Sequence, residues 1–203
     1  MEHKSGTFIS DLAAHFLAVA KSDFEGQKKL GDRAIAQLDE HGLNWQPEPE
    51  SNSISVIVKH MSGNMVSRWT DFPHADGEKP GRNRDDEFVD DISSLAQLQE
   101  VWEKGWAVLF NALNGLKPED LLLEVTIRGQ PHTVLQAIHR QISHYGYHVG
   151  QLVYVAKAYK STEWQTLSIA KGRSAKFNEE MLLRQTNAPN TSLPSSTPRD
   201  VSR

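Results

Sequence analysis

Residues 133–160 limit the folds open to this chain more than any other stretch. Val134, Leu135, Ile138, Ile142, Tyr145, Val149, Leu152 and Ala156 recur at helical spacing, so one side of a long helix is apolar. Thr133-x-x-Gln136 opens the stretch as a capping box, in which side chains and backbone amides of the first turn satisfy one another. Turning about 100° per residue places His144 and His148 beside the apolar face, with Ala137, Gln141 and Val155, and points His139 away. Such a helix needs partners to bury its stripe, and the rest of the chain supplies three.

Residues 7–40 read as a first helix on Ile9, Leu12, Phe16, Ala20, Phe24, Ala34, Ile35 and Leu38, with Gly26 and Gly31 as weak points where it can kink. His41-Gly42 reads as its left-handed stop. After a connector carrying Pro47 and Pro49, Asn52 or Ser53 caps a second helix that runs to about Trp69 on Ile54, Ile57, Val58, Met61, Met65 and Trp69. His60 lies at the edge of that stripe. Residues 71–91 form a long polar loop, a feature that in a compact domain is either functional or poorly ordered. Ser94-x-x-Gln97 predicts a second capping box opening a third helix over residues 94–114, stopped by Gly115. Residues 121–128 predict a short strand or extended segment before a turn at Gly129-Gln130-Pro131. Residues 163–183, with Trp164, Leu167, Ile169 and Phe177, predict a packed extension or short final helix. From residue 186 the chain is rich in Pro, Ser, Thr and Asn, which predicts a disordered tail. The expected organisation is one domain over residues 1–185, an all-α four-helix bundle with a long loop between helices two and three, followed by the tail at 186–203.

Composition narrows the function. A net charge of −4 with both signs interspersed leaves no basic footprint for nucleic acid. The chain has no cysteine, which excludes disulfides, thiolate metal sites and a cysteine nucleophile, and fits a reducing cytoplasm. The N-terminus lacks a basic start followed by an apolar core, and no apolar run approaches the roughly 20 residues that span a bilayer. The expectation is a cytoplasmic, soluble, single-domain protein that binds neither membrane nor nucleic acid.

His144 and His148 stand one turn apart on the fourth helix, with Cβ atoms about 5–6 Å apart, a spacing that lets two imidazoles share a divalent ion. With nine histidines in the chain, chance supplies about 0.4 such pairs, so the pair needs its context. Other chemistries are excluded by their missing motifs. No Glu-x-x-His pair is present for a di-iron bundle, and Tyr145 after His144 breaks the His-Glu-x-x-His of zinc proteases. No Gly-x-Ser-x-Gly elbow occurs, and Lys171-Gly172-Arg173-Ser174 lacks the preceding glycine of a phosphate loop. Asn64, one turn beyond His60, can orient a ligand or a water. Arg68, Arg82 and Arg84 can neutralise an anionic substrate or simply face solvent.

Val58-Lys59-His60-Met61 on helix two, with His144-Tyr145-Gly146-Tyr147-His148-Val149-Gly150-Gln151 on helix four, resembles the DinB-like superfamily of four-helix proteins over roughly residues 7–160. The superfamily includes YfiT-type thiol transferases and, more distantly, mycothiol-dependent isomerases. Residues 60–72 and the Asp-Gly-Glu-Lys-Pro and Arg-Asn-Arg-Asp-Asp-Glu-Phe runs resemble an uncharacterised branch of it. Matched residue by residue, the resemblance implies three metal ligands, His60, His144 and His148, with an open position for water, in an up-down-down-up bundle that tends to dimerise. Val149 stands where a basic residue often precedes the Gly-Gln pair, so the transferase activity does not carry over directly.

Three imidazoles with one open position suit zinc or nickel, with iron, copper or manganese also compatible. Such a centre activates water or holds an incoming low-molecular-weight thiol as a nucleophile. The expectation is therefore a metal-dependent thiol transferase or hydrolase acting on a small electrophile. A stress-associated metal-binding or dimerisation module without catalysis is the alternative, and a helical interaction domain without metal is the plainest reading.

Overall fold

The computed structural model describes residues 2–187, and they are mostly helical. Four long helices carry the fold: α1 (Glu2–Ile35), α3 (Ile54–Trp69), α4 (Leu95–Gly115) and α5 (Val134–Lys160), with a four-residue α2 (Glu40–Leu43) after α1 and α6 (Ser174–Asn187) near the end. α1 packs on α5 and α4, and α3 packs on α4 and α5, so each long helix packs against two others. Phe24, Trp102, Trp106 and Tyr145 lie fully buried among these helices. No helix among the described residues is long and apolar enough to cross a membrane. The described residues divide into two units, the first ending at Gln165 and the second beginning at Thr166.

The helix starts follow the capping chemistry. Ser53, not Asn52, caps α3 by accepting from the Val56 amide. Thr133 and Gln136 close a reciprocal capping box on α5. At α4, Ser94 accepts from the Gln97 amide, but the Gln97 side chain returns to Ser93 rather than Ser94, so only half of the predicted box forms.

Several expectations are corrected. The first helix stops at Ile35 rather than residue 40 and runs unbroken through Gly26 and Gly31. Gly42 is not a left-handed stop. It belongs to α2, where Asp39 caps the turn by accepting from its amide. The all-α expectation misses a small antiparallel hairpin, β1 (Glu124–Ile127) with β2 (Gln130–Thr133), in which Glu124 faces Thr133 and Ile127 faces Gln130. Its two-residue turn uses Arg128 and Gly129, both at positive φ, the geometry that matches the twist of paired strands. Pro131 lies within β2 rather than in the turn. Of the packed extension or short final helix expected over residues 163–183, the helix is present as α6 (Ser174–Asn187), with Ile169, Phe177 and Met181 about two-fifths exposed. The predicted disordered tail falls, beyond Asn187, outside the described residues.

Segment 71–91 is ordered and pinned at both ends. Asp76 accepts from the amides of Glu78, Arg128 and Gly129, and Gly77 donates to Thr126 of β1, so the loop is tied to the hairpin. Those donors hold the Asp76 carboxyl well below its usual range. At the other end, Lys59 of α3 reaches Val89 O and Asp91 at 3.0 and 2.6 Å.

Candidate metal centre

The packing of α3 against α5 brings His60, His144 and His148 together, with one nitrogen of each lying within 4.8 Å of the others. Ring centroids are 5.5 Å apart for His60 and His144, 4.8 Å for His60 and His148, and 4.7 Å for His144 and His148. His60 and His148 are buried and His144 is half-buried. Each helix contributes for a local reason. The i, i+4 spacing stacks the α5 pair, and His60 sits on the edge of the α3 stripe that faces α5.

Burial first, then the positive potential of His148 and His60, pulls the His144 pKa down to about 3. Burial, with His60 next, brings His148 to about 4. Both rings are therefore neutral near pH 7, the form in which imidazole binds metal. His148 is oriented by a hydrogen bond from Nδ1 to Gln151 Oε1 at 2.9 Å. Its Nε2 is buried without a hydrogen-bond partner, as is Nδ1 of His144. Buried polar atoms are rarely left unpaired, and two in one cluster of three histidines fit a bound cation. The residues present thus suit the metal that the histidine set implies.

The surroundings are aromatic and ionic. Tyr147 lies 4.3 Å from the His148 ring and 5.3 Å from that of His144, and Phe88 lies 5.1 Å from His60. Both shielding rings are about half exposed. His60 Nδ1 meets Glu87 Oε2 at 3.0 Å, and Glu87 in turn receives Arg82 Nε and Nη2 at 2.7 and 2.9 Å. All three side chains are at least nine-tenths buried. Burial alone would raise the Glu87 pKa, but His60 and Arg82 hold it below the usual carboxylate range.

The other sequence candidates lie elsewhere. Asn64 Oδ1 accepts from Gln141 Nε2 and the Tyr145 hydroxyl at 2.7 and 3.0 Å, in an interior network that also takes Trp69 Nε1 and contains none of the three histidines. Arg68 is buried against the loop, donating to Gly77 O and to Glu78 Oε2. Arg82 is committed to Glu87 and Glu78, while Arg84 is exposed. His139 is exposed on the far side of α5, as its helical angle predicts.

Glu87 escapes sequence reasoning. It lies in a 3-10 turn, Asp86–Phe88, inside an irregular polar segment with no periodicity to project a neighbour from. Only its charge, five residues after Arg82, hints at a pair.

Among curated proteins and among solved structures, nothing matches the chain. A family model described as "protein of unknown function (DUF1572)" matches residues 11–173. That match takes in α3, α5, the three histidines and segment 71–91, so the chain belongs to this family of unknown function, within the DinB-like superfamily.

Proposed function

We propose that His60, His144 and His148 hold one divalent metal ion, zinc or nickel in first place, and that the protein is a metal-dependent enzyme acting on a small electrophilic substrate. The observation that carries this reading is the pair of unpartnered buried nitrogens, His144 Nδ1 and His148 Nε2, within a cluster of three imidazoles. Three nitrogen ligands leave a position for water or a low-molecular-weight thiol, whose pKa a divalent cation lowers enough to give a nucleophile near neutral pH.

The chain's own residues would hold and shape this site. Gln151 keeps the His148 proton on Nδ1, and Tyr147 and Phe88 shield the imidazoles from bulk water. The absence of cysteine means that any thiol must arrive with a cofactor. The mutual packing of the four long helices supports the up-down-down-up bundle of the superfamily. We place the protein in the cytoplasm as a homodimer, on the superfamily's habit and the cysteine-free composition.

Elemental analysis of protein purified without a polyhistidine tag, beside His60→Ala, His144→Ala and His148→Ala, tests the site. The expected result is about one metal per chain in the parent and a loss of stoichiometric binding in each variant, with helical content retained. Equal metal content in all four proteins would remove the site. Thiol-transfer and hydrolase assays on the loaded parent then separate an enzyme from a metal-binding module, which would show no turnover.

A further inference from the structure

Segment 71–91 delivers a carboxylate to a histidine that the metal reading needs. Glu87 is 7% exposed, and each of its oxygens is engaged: Oε1 by Arg82 Nε, Oε2 by Arg82 Nη2 and by His60 Nδ1. α3 makes room for it. Gly63, three residues beyond His60, lies so close that a Cβ there would overlap Glu87 Oε1. Phe88, the next residue, lays its ring beside the His60 imidazole at 32° between planes. An ionised carboxylate accepts only, so His60 donates to Glu87 from Nδ1, and the neutral ring in this pair carries its lone pair on Nε2. His60 therefore lacks the tautomeric freedom of an imidazole in water.

We infer that Glu87 is a positioning residue: from the loop, it holds His60 in the Nδ1–H tautomer and leaves Nε2 free for a cation shared with His144 and His148. Arg82 holds Glu87 in turn, so the loop, the ligand and the metal act as one unit. The inference rests on the metal reading above. Both Glu87 oxygens accept hydrogen bonds from Arg82 or His60, which suits the carboxylate to orienting His60. Carboxylates that orient metal-binding histidines in this way raise the ligand's basicity, and losing one typically weakens metal binding about 10–100-fold. A purely structural Arg82–Glu87 pair would leave both the tautomer and the affinity of His60 unchanged.

The test uses full-length protein, with zinc as the probe. Zinc affinity is measured by competition with a chelator, and the His60 tautomer by long-range nitrogen–proton spectra of the metal-free protein, assigned with His60→Ala. In the parent, His60 should carry its proton on Nδ1. Glu87→Ala should shift it toward the Nε2–H form and weaken zinc binding about 10–100-fold. Glu87→Gln, which keeps an oxygen acceptor, should lose less. Gly63→Ala, which touches neither polar group but displaces Glu87, should lose affinity as well, and these two variants decide the matter if Glu87→Ala does not fold. Affinities within twofold of the parent, or an Nε2–H tautomer in the parent itself, would overturn the inference. Failure of the parent to bind zinc at all would instead sink the metal reading on which it stands.

Discussion

The start of α1 and segment 71–91 invert the usual relation between hydropathy and burial. In α1, Phe8, Ile9 and Leu12 are 58–69% exposed, although their spacing belongs to an apolar stripe. In the loop, among the most polar stretches of the chain, Glu87 is buried and the Arg82 side chain is only 5% exposed. The loop orders because its charges find partners in fixed geometry: Arg82 with Glu87 and Glu78, Arg68 with Glu78, Asp76 with three backbone amides. Phe8, Ile9 and Leu12 of α1 have no such cover. Periodicity says which face of a helix seeks cover; only tertiary partners say whether cover arrives.

The comparison breaks hardest at Arg82. Arg82→Ala leaves Glu87 buried without its cation, and should cost about 3–5 kcal/mol of stability in chemical denaturation. Replacing Arg82 and Glu87 together by apolar residues of similar volume should recover much of that loss. A cost under about 1 kcal/mol for the single variant would mean that solvent already reaches the pair.

A graded loss should accompany acidification. His144 and His148 have folded-state pKa values of about 3 and 4, below the ordinary histidine value of 6.5, so below pH 6.5 the unfolded chain takes up protons that the folded one refuses. The stability of metal-free protein should therefore be full above pH 6.5 and fall toward pH 3, with the lowered Glu87 and Glu78 carboxyls adding to the loss below about pH 4.5. Denaturation midpoints between pH 7 and pH 4.5 check the sign. The double variant His144→Ala, His148→Ala should flatten that part of the curve.

The smallest effect belongs to α1. Phe8→Ser and Leu12→Ser should change unfolding free energy by no more than about 0.5 kcal/mol, as expected at exposed positions. A loss that depends on protein concentration would show that a second copy covers this face, as the proposed dimer allows, and would restore the ordinary relation between hydropathy and burial there.

Much of this protein is decided within a few residues of chain. The starts of α3 and α5 are written in Ser53 and Thr133, because a capping hydroxyl acts on amides two or three residues away. The stacking of His144 over His148 follows from the helix period alone, as does the outward turn of His139. The chain by itself also determines that none of its own side chains can supply a thiolate to the site, since it has no cysteine. What needed the tertiary structure is everything carried by contacts between distant segments. His60 joins the other two histidines only because α3 packs on α5. Asn64 and Arg68, plausible site residues by spacing, are drawn instead into an interior network and a loop ion pair. The second strand, with Pro131 within it, forms because the Arg128-Gly129 turn and the Asp76 carboxylate hold it against β1. Glu87 reaches His60 across a loop with no repeat, where no periodicity relates position in sequence to position in space. Local rules place a residue on a face; the partner that gives it a chemical role comes from elsewhere in the fold.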